Sequence, residues 1–134
     1  MAKEAYVLIV DDDPMVVSML TDRLDVAGYS VTSAYDAWQE VVQAQGLRIG
    51  LIISDIMMPG AETGVDAYKK LRSTPGISPA LPIIFLTGLT PEKAKAMIPP
   101  DPKVRLLHKP VDFEKLRAAI KELTGLDRPL APQP

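Results

Sequence analysis

The stretch YVLIVDDDP, residues 6–14, has the form of a strand that hands over to a helix. Its first five residues carry no charge and are rich in β-branched side chains, as suits the middle of a sheet. Three aspartates end the run, and the third stands directly before a proline. Asp13-Pro14 reads as a helix N-cap followed by proline in the first turn, where a missing N–H is harmless. Beyond it Val16, Leu20, Leu24 and Ala27 fall on one helical face, and Gly28 stands where a C-terminal stop belongs. One acid suffices for a cap. Three in a row exceed that need.

The same unit recurs. Further short apolar runs cover residues 29–34, 51–54, 83–86 and 104–107, each bounded by Gly, Pro, Asp or Lys. Trp38, Val41 and Val42 mark a second helix, with Trp38 expected to pack on its buried face. Val65, Tyr68 and Leu71 mark a third, ended by Ser73-Thr-Pro-Gly76. Ala94, Met97 and Ile98 suggest a short fourth, and Phe113, Leu116, Ile120 and Leu123 give the clearest stripe of all. Five alternations of strand and helix predict an α/β domain with a parallel sheet covered on both faces. The first, third and fourth runs are nearly continuous apolar, as interior strands must be. The second alternates and the fifth carries Arg105, so both are expected at edges. Met15, Met19, Met57 and Met58 are read as gap-filling core side chains, and His108 as an edge residue. Residues 1–124 are expected to form the domain, and the proline-rich residues 125–134 a loose end or linker remnant.

The totals exclude several functions. A chain of 134 residues is one domain on length, and a net charge of −2 argues against direct nucleic-acid binding. No apolar run approaches the roughly 20 residues that span a bilayer, and no signal-peptide pattern opens the chain. Cysteine is absent, which removes thiolate sites and is compatible with a cytoplasmic, reducing location. The single histidine, His108, argues against catalytic triads and against zinc sites that need histidine clusters.

In a sheet of this kind ligands bind at the carboxyl ends of the strands. Strand one ends in Asp11-Asp12-Asp13 and strand three in Asp55. Strand four ends in Thr87, and strand five in His108-Lys109-Pro110. Acids gathered so closely repel one another and raise one another's pKa unless a cation intervenes. An oxygen-only pocket of this kind suits Mg²⁺. Lys109 can face a phosphoryl group as a point charge, and Thr87 can donate a hydrogen bond to it. The set is suited to phosphoryl chemistry, with Asp55 the carboxylate placed singly.

These residues carry a resemblance. The Asp11-Asp12 pair, Asp55, Thr87 and Lys109-Pro110, in order at the ends of successive strands, resemble the receiver domain of two-component response regulators over residues 4–124. The resemblance implies a flavodoxin-like, doubly wound (βα)₅ fold with strand order 2-1-3-4-5. It implies Asp55 as phosphoacceptor from a histidine kinase or histidine phosphotransfer protein. It further implies Mg²⁺ held by Asp12, Asp55 and the backbone carbonyl of Met57, with Asp11 acting through water, and a cis peptide before Pro110 that aims Lys109 inward. Output is expected through the face of helix 4, strand 5 and helix 5, toward a downstream protein, an output domain or a second copy in a homodimer. No direct contact with nucleic acid or membrane is implied.

The chain departs from the family pattern in four ways. Leu106 stands where many receivers carry a switching Tyr or Phe, so the aromatic part of that switch does not carry over. Met57 and Leu89 replace polar residues that help position an attacking water, which predicts slow self-dephosphorylation. The turn after Pro59 is one residue longer than usual, which brings Glu62 toward the site. The sequence Ile98-Pro-Pro-Asp-Pro-Lys103 must truncate helix four. Two rival readings stay open. A haloacid-dehalogenase-type phosphatase shares the Asp nucleophile, and Asp11 with Asp13 fits its Asp-x-Asp, but Thr87-Gly88-Leu89 offers none of its later acids. A degenerate receiver that binds its partner constitutively is the other.

Overall fold

The computed structural model describes residues 5–57 and 63–130. Five strands alternate with five helices: β1 (Tyr6–Val10), α1 (Pro14–Val26), β2 (Ser30–Ala34), α2 (Ala37–Gly46), β3 (Ile49–Ser54), α3 (Gly64–Ser73), β4 (Ile83–Thr87), α4 (Pro91–Met97), β5 (Val104–His108) and α5 (Phe113–Thr124). All strand pairs are parallel, in the order β2-β1-β3-β4-β5. The expected flavodoxin-like architecture is the one observed, and the alternating and arginine-bearing strands are the edges.

The period-two pattern of the strands divides the core between the two faces of the sheet. Val7, Ile9, Ile53, Ile84 and Leu86 pack with Leu20 and Leu24 of α1 and Leu116, Ile120 and Leu123 of α5. Leu8, Val10, Ile52, Ile83 and Phe85 face the other way, toward Ala37 of α2, Val65, Tyr68 and Leu71 of α3, and Ala94 of α4. The inward position at the start of α1 is Val17, with Val16 at its margin.

Helix ends follow the local chemistry. Asp13 caps α1 by accepting from the Met15 N–H. At the other end Gly28 sits at φ +91°, while its N–H reaches the Asp25 carbonyl and the Tyr29 N–H reaches that of Leu24. That pair of bonds needs a left-handed residue, which glycine adopts without a Cβ clash. The proline-rich turn before β5 is anchored at Asp101, which accepts from the Tyr68 hydroxyl at 2.7 Å, Arg72 Nε at 3.0 Å and the Lys103 N–H at 2.8 Å.

Three expectations need correction. On α2, Trp38 is 71 % and Val42 44 % exposed, whereas Ala37 and Glu40 are buried. The helix has two apolar stripes, and the one built from small residues faces the sheet. Met15 and Met57 lie on the surface at 79 % and 53 % exposure, Met58 being outside the described residues. Residues 126–130 are not loose. Leu130 is buried among α1 and α5, Arg23 donates to its carbonyl, Arg128 donates to the Gly28 carbonyl, and Asp127 pairs with Arg117. No described helix is long and apolar enough to cross a membrane.

Candidate functional site

Sheet register creates the site. Val10, the last residue of β1, lies beside Ala34 on one side and Ser54 on the other, and Thr87 lies beside His108. The next residues therefore emerge together. The Asp11 N–H bonds the Ala34 carbonyl at 3.2 Å, the Asp55 N–H that of Val10 at 2.8 Å, and the Lys109 N–H that of Thr87 at 2.8 Å. Backbone pairing carried one step past the strands aims three charged side chains into one hollow.

There Lys109 Nζ lies 2.9 Å from Asp11 Oδ2 and 3.2 Å from Asp55 Oδ2. The remaining oxygens are also engaged: Asp11 Oδ1 accepts from the Asp13 N–H at 2.9 Å, and Asp55 Oδ1 from the Ile56 N–H at 2.7 Å. Asp12 is exposed and completes a trio, with ligand oxygens of Asp11, Asp12 and Asp55 all within 4.8 Å of one another. Three carboxylates of that spacing could hold a metal ion. The Lys109–Pro110 peptide bond is cis.

The electrostatics follow from burial and proximity. Burial pushes the Asp55 carboxyl above its ordinary value, the Lys109 charge pulls it back, and the Asp11 charge adds to the rise. Burial pushes the Lys109 ammonium's pKa down, but the hydrogen bond it donates to Asp11 and the charges of Asp55 and Asp11 outweigh that, so the net displacement is upward. The ammonium is thus held in its charged form between two acids.

Thr87, Met57 and Leu106 make no side-chain hydrogen bond or ion pair with this cluster among the described residues. Thr87 is fully buried at the end of β4, and its hydroxyl accepts from the Leu89 N–H at 3.1 Å. Met57 follows Asp55 by two positions with its side chain toward solvent. Leu106 is half-buried on β5, where it lines a groove between α4 and β5 with Lys95, Ile98 and Pro99. Glu62 lies outside the described residues.

Two neighbours of Asp55 escaped the sequence reading. Gly64, the first residue of α3, sits so close that a Cβ there would stand 2.1 Å from the Asp55 carbonyl oxygen. Behind the acceptor, fully buried, is Glu40, 3.3 Å from the Ser54 hydroxyl. Its signal was a lone acid in α2 spaced to share a face with Ala37 and Ala44.

A doubly wound sheet with an acidic hollow and a lysine at its carboxyl rim defines a class of phosphoryl- or metal-handling α/β domains, and comparison with known proteins narrows that class. Residues 7–121 match the response regulator receiver domain, and the chain belongs to that family. It is 31 % identical over 133 residues to the transcriptional regulatory protein FixJ of Bradyrhizobium diazoefficiens, covering 98 % of this chain and 62 % of FixJ. It is 35 % identical over 82 residues to the probable transcriptional regulatory protein TcrX of Mycobacterium tuberculosis, covering 61 % of this chain and 33 % of that protein. The matched part is thus less than two thirds of either relative. Among solved structures, chemotaxis protein CheY4 of Vibrio cholerae superposes with a TM-score of 0.76 at 34 % identity, covering 90 % of this chain and 99 % of that one. A putative response regulator from Chloroflexus aurantiacus gives 0.79 at 29 % identity, covering 92 % and 100 %. The chain is a receiver domain of two-component signalling, which sets the phosphatase reading aside.

Proposed function

We propose that Asp55 accepts a phosphoryl group from a phosphohistidine of a histidine kinase or histidine phosphotransfer protein, in a Mg²⁺-dependent reaction, and that the aspartyl phosphate switches a protein-binding surface. The observation that carries this reading is the Lys109 ammonium bridging Asp11 and Asp55 beside Asp12. A structural lysine needs one partner. An ammonium shared between two carboxylates at a strand rim is a counter-charge for something that arrives.

In the transfer, a carboxylate oxygen of Asp55 attacks phosphorus in line as the phosphorus–nitrogen bond of the phosphohistidine breaks. The bonding pair returns to the imidazole, and an acyl phosphate forms on Asp55. The Ile56 N–H on Asp55 Oδ1 steadies the nucleophile, so one oxygen is held while the other faces Lys109. Lys109 donates to a phosphoryl oxygen where charge builds, a preorganised contact that needs little rearrangement. The Thr87 hydroxyl accepts from Leu89 and keeps its own proton to donate to the same group. The all-oxygen trio fits a hard divalent ion: Asp12, Asp55 and the Met57 carbonyl would hold Mg²⁺, with Asp11 through water, and an ion held there would offset phosphoryl charge.

Leu106 has neither ring nor hydroxyl, so switching runs through Thr87 and the backbone between β4 and α4, toward the α4–β5–α5 face where Leu106 lines the groove. A downstream protein, an output domain or a second copy would engage that face. Met57 and Leu89 offer no polar group to an attacking water, so the acyl phosphate is long-lived. A half-life of seconds in Mg²⁺ would contradict this. The reading makes the domain a signalling module without activity on other molecules, at work in the cytoplasm with its kinase.

Intact-mass measurement after incubation with a small phosphodonor tests the chemistry. Wild type should gain one phosphoryl group with Mg²⁺ and essentially none with chelator, and Asp55→Asn none in either case. Equal labelling of Asp55→Asn would refute it.

A further inference from the structure

We infer that Glu40 is a positioning residue for the acceptor: its neutral carboxyl group, acting through the Ser54 hydroxyl, fixes the backbone carbonyl of Asp55 and thereby the aim of the Asp55 carboxylate. The inference rests on the reading of Asp55 as phosphoacceptor.

Glu40 is fully buried on the sheet-facing side of α2, a helix otherwise without charged residues. An ionised carboxylate there would lack both water and a counter-charge, a state proteins avoid by protonation. Burial pushes the group up to about 8. Near neutral pH Glu40 is therefore a neutral acid with a proton to donate.

Ser54 supplies the link. Its Oγ lies 2.8 Å from the Asp55 carbonyl oxygen and 3.3 Å from Glu40 Oε1. A hydroxyl has one proton for these two contacts. The shorter contact takes it, and the longer one is then a hydrogen bond only if Glu40 donates to Ser54 Oγ. Proton order runs one way, from Glu40 to Ser54 to the Asp55 carbonyl, and only a neutral Glu40 completes it. Gly64 crowds the same carbonyl from beside Ser54: a Cβ there would stand 2.1 Å from the Asp55 carbonyl oxygen and 2.9 Å from Ser54 Oγ. The peptide after Asp55 is thus held by a donated proton next to a tight backbone contact, and the same peptide provides the Ile56 N–H that grips Asp55 Oδ1. Rotation of this peptide would turn both groups. The second Glu40 oxygen, Oε2, has no hydrogen-bond partner in the structure. A space-filling role would be served better by an apolar side chain, because a buried polar atom without a partner costs free energy.

The test uses the full chain, a small phosphodonor, saturating Mg²⁺ and intact-mass kinetics. Glu40→Gln should stay within about twofold of wild type, since its amide donates to Ser54 as the acid does, whereas Glu40→Leu should slow labelling about tenfold, a typical scale for lost positioning. Ser54→Ala should match Glu40→Leu, and the double variant should be no slower than either, as expected for residues acting in series. The carbonyl ¹³C resonance of Asp55 supplies a readout without phosphorylation. It should move in Glu40→Leu and Ser54→Ala and stay in place in Glu40→Gln. A phosphorylated wild type with Glu40→Leu at the same rate and an unmoved resonance overturns this inference alone. A wild type that takes no phosphate overturns the acceptor reading and this inference with it.

Discussion

Asp55 and Glu40 are both carboxylic acids largely shut away from water, and burial is the largest influence on each. They differ in what stands beside them. Asp55 has an ammonium at 3.2 Å and a backbone N–H at 2.7 Å, whereas Glu40 has a hydroxyl at 3.3 Å. A nucleophile needs its charge, so the rim supplies a cation that opposes the cost of burial. A proton donor does better without a cation, because an isolated site keeps it neutral. On the proposed reading, one layer of the fold holds an acid that attacks and the next an acid that donates. Chain position accounts for the contrast: strand ends converge on the rim, where loops can bring Lys109, while the inner face of α2 meets only sheet.

The largest effect that would sharpen this contrast is on stability against pH. In the folded chain Glu40 titrates at about 8, against 4.5 for an unburied glutamate. The folded state therefore binds this proton more tightly, so the contribution of Glu40 to stability is fully present below about pH 4.5 and is lost as pH rises to about 8. At about 1.4 kcal/mol per pH unit, the decline attributable to Glu40 approaches about 5 kcal/mol. Glu40→Gln removes the titration. Urea midpoints of the two proteins should converge near pH 5 and separate progressively toward pH 8, with Glu40→Gln the more stable. A constant gap would show that Glu40 is ionised in the folded chain. Lys109→Ala should break the contrast from the other side by leaving Asp55 with burial, the Asp11 charge and one backbone N–H. Phosphorylation by a small donor should slow by about 10²-fold, the scale for losing one preorganised donor to a developing anion. A rate within a few-fold of wild type would remove Lys109 from the chemistry. The smallest effect concerns the outer face of the same helix. Trp38 is exposed, so Trp38→Ala should change the unfolding free energy by no more than about 0.5 kcal/mol. A loss of several kcal/mol would mean that α2 is turned the other way and that Glu40 is not inside.

That last point marks where the sequence stopped being legible. Strand positions were readable because both core clusters draw on alternate residues of the same strands, as Ile9 and Val10 do on opposite faces. The rim was readable because it needs only strand ends, and Asp11, Asp12, Asp55 and Lys109 each follow an apolar run. Helix α2 was misread because Trp38 and Val42 outweigh Ala37 and Ala44 in apolar surface, yet the small residues are what a close approach to the sheet admits. Glu40 argued against its own burial, and only the hydroxyl of Ser54, fourteen positions on, resolves that conflict. The seating of residues 126–130, which read as a loose end or linker remnant, rests on anchors at Arg23, Gly28 and Arg117 that lie ten or more positions away. Pairings of that range leave no periodic trace.

Borohydride trapping tests most directly whether the rim accepts a phosphoryl group at a single carboxylate. Treatment of the phosphodonor-labelled, Mg²⁺-saturated chain with borohydride reduces an acyl phosphate to the alcohol, so an aspartyl phosphate becomes homoserine. Peptide mapping should find homoserine at position 55 and at no other acid. Homoserine at Asp11 or Asp12, or an unreduced chain that still carries phosphate, would contradict the account.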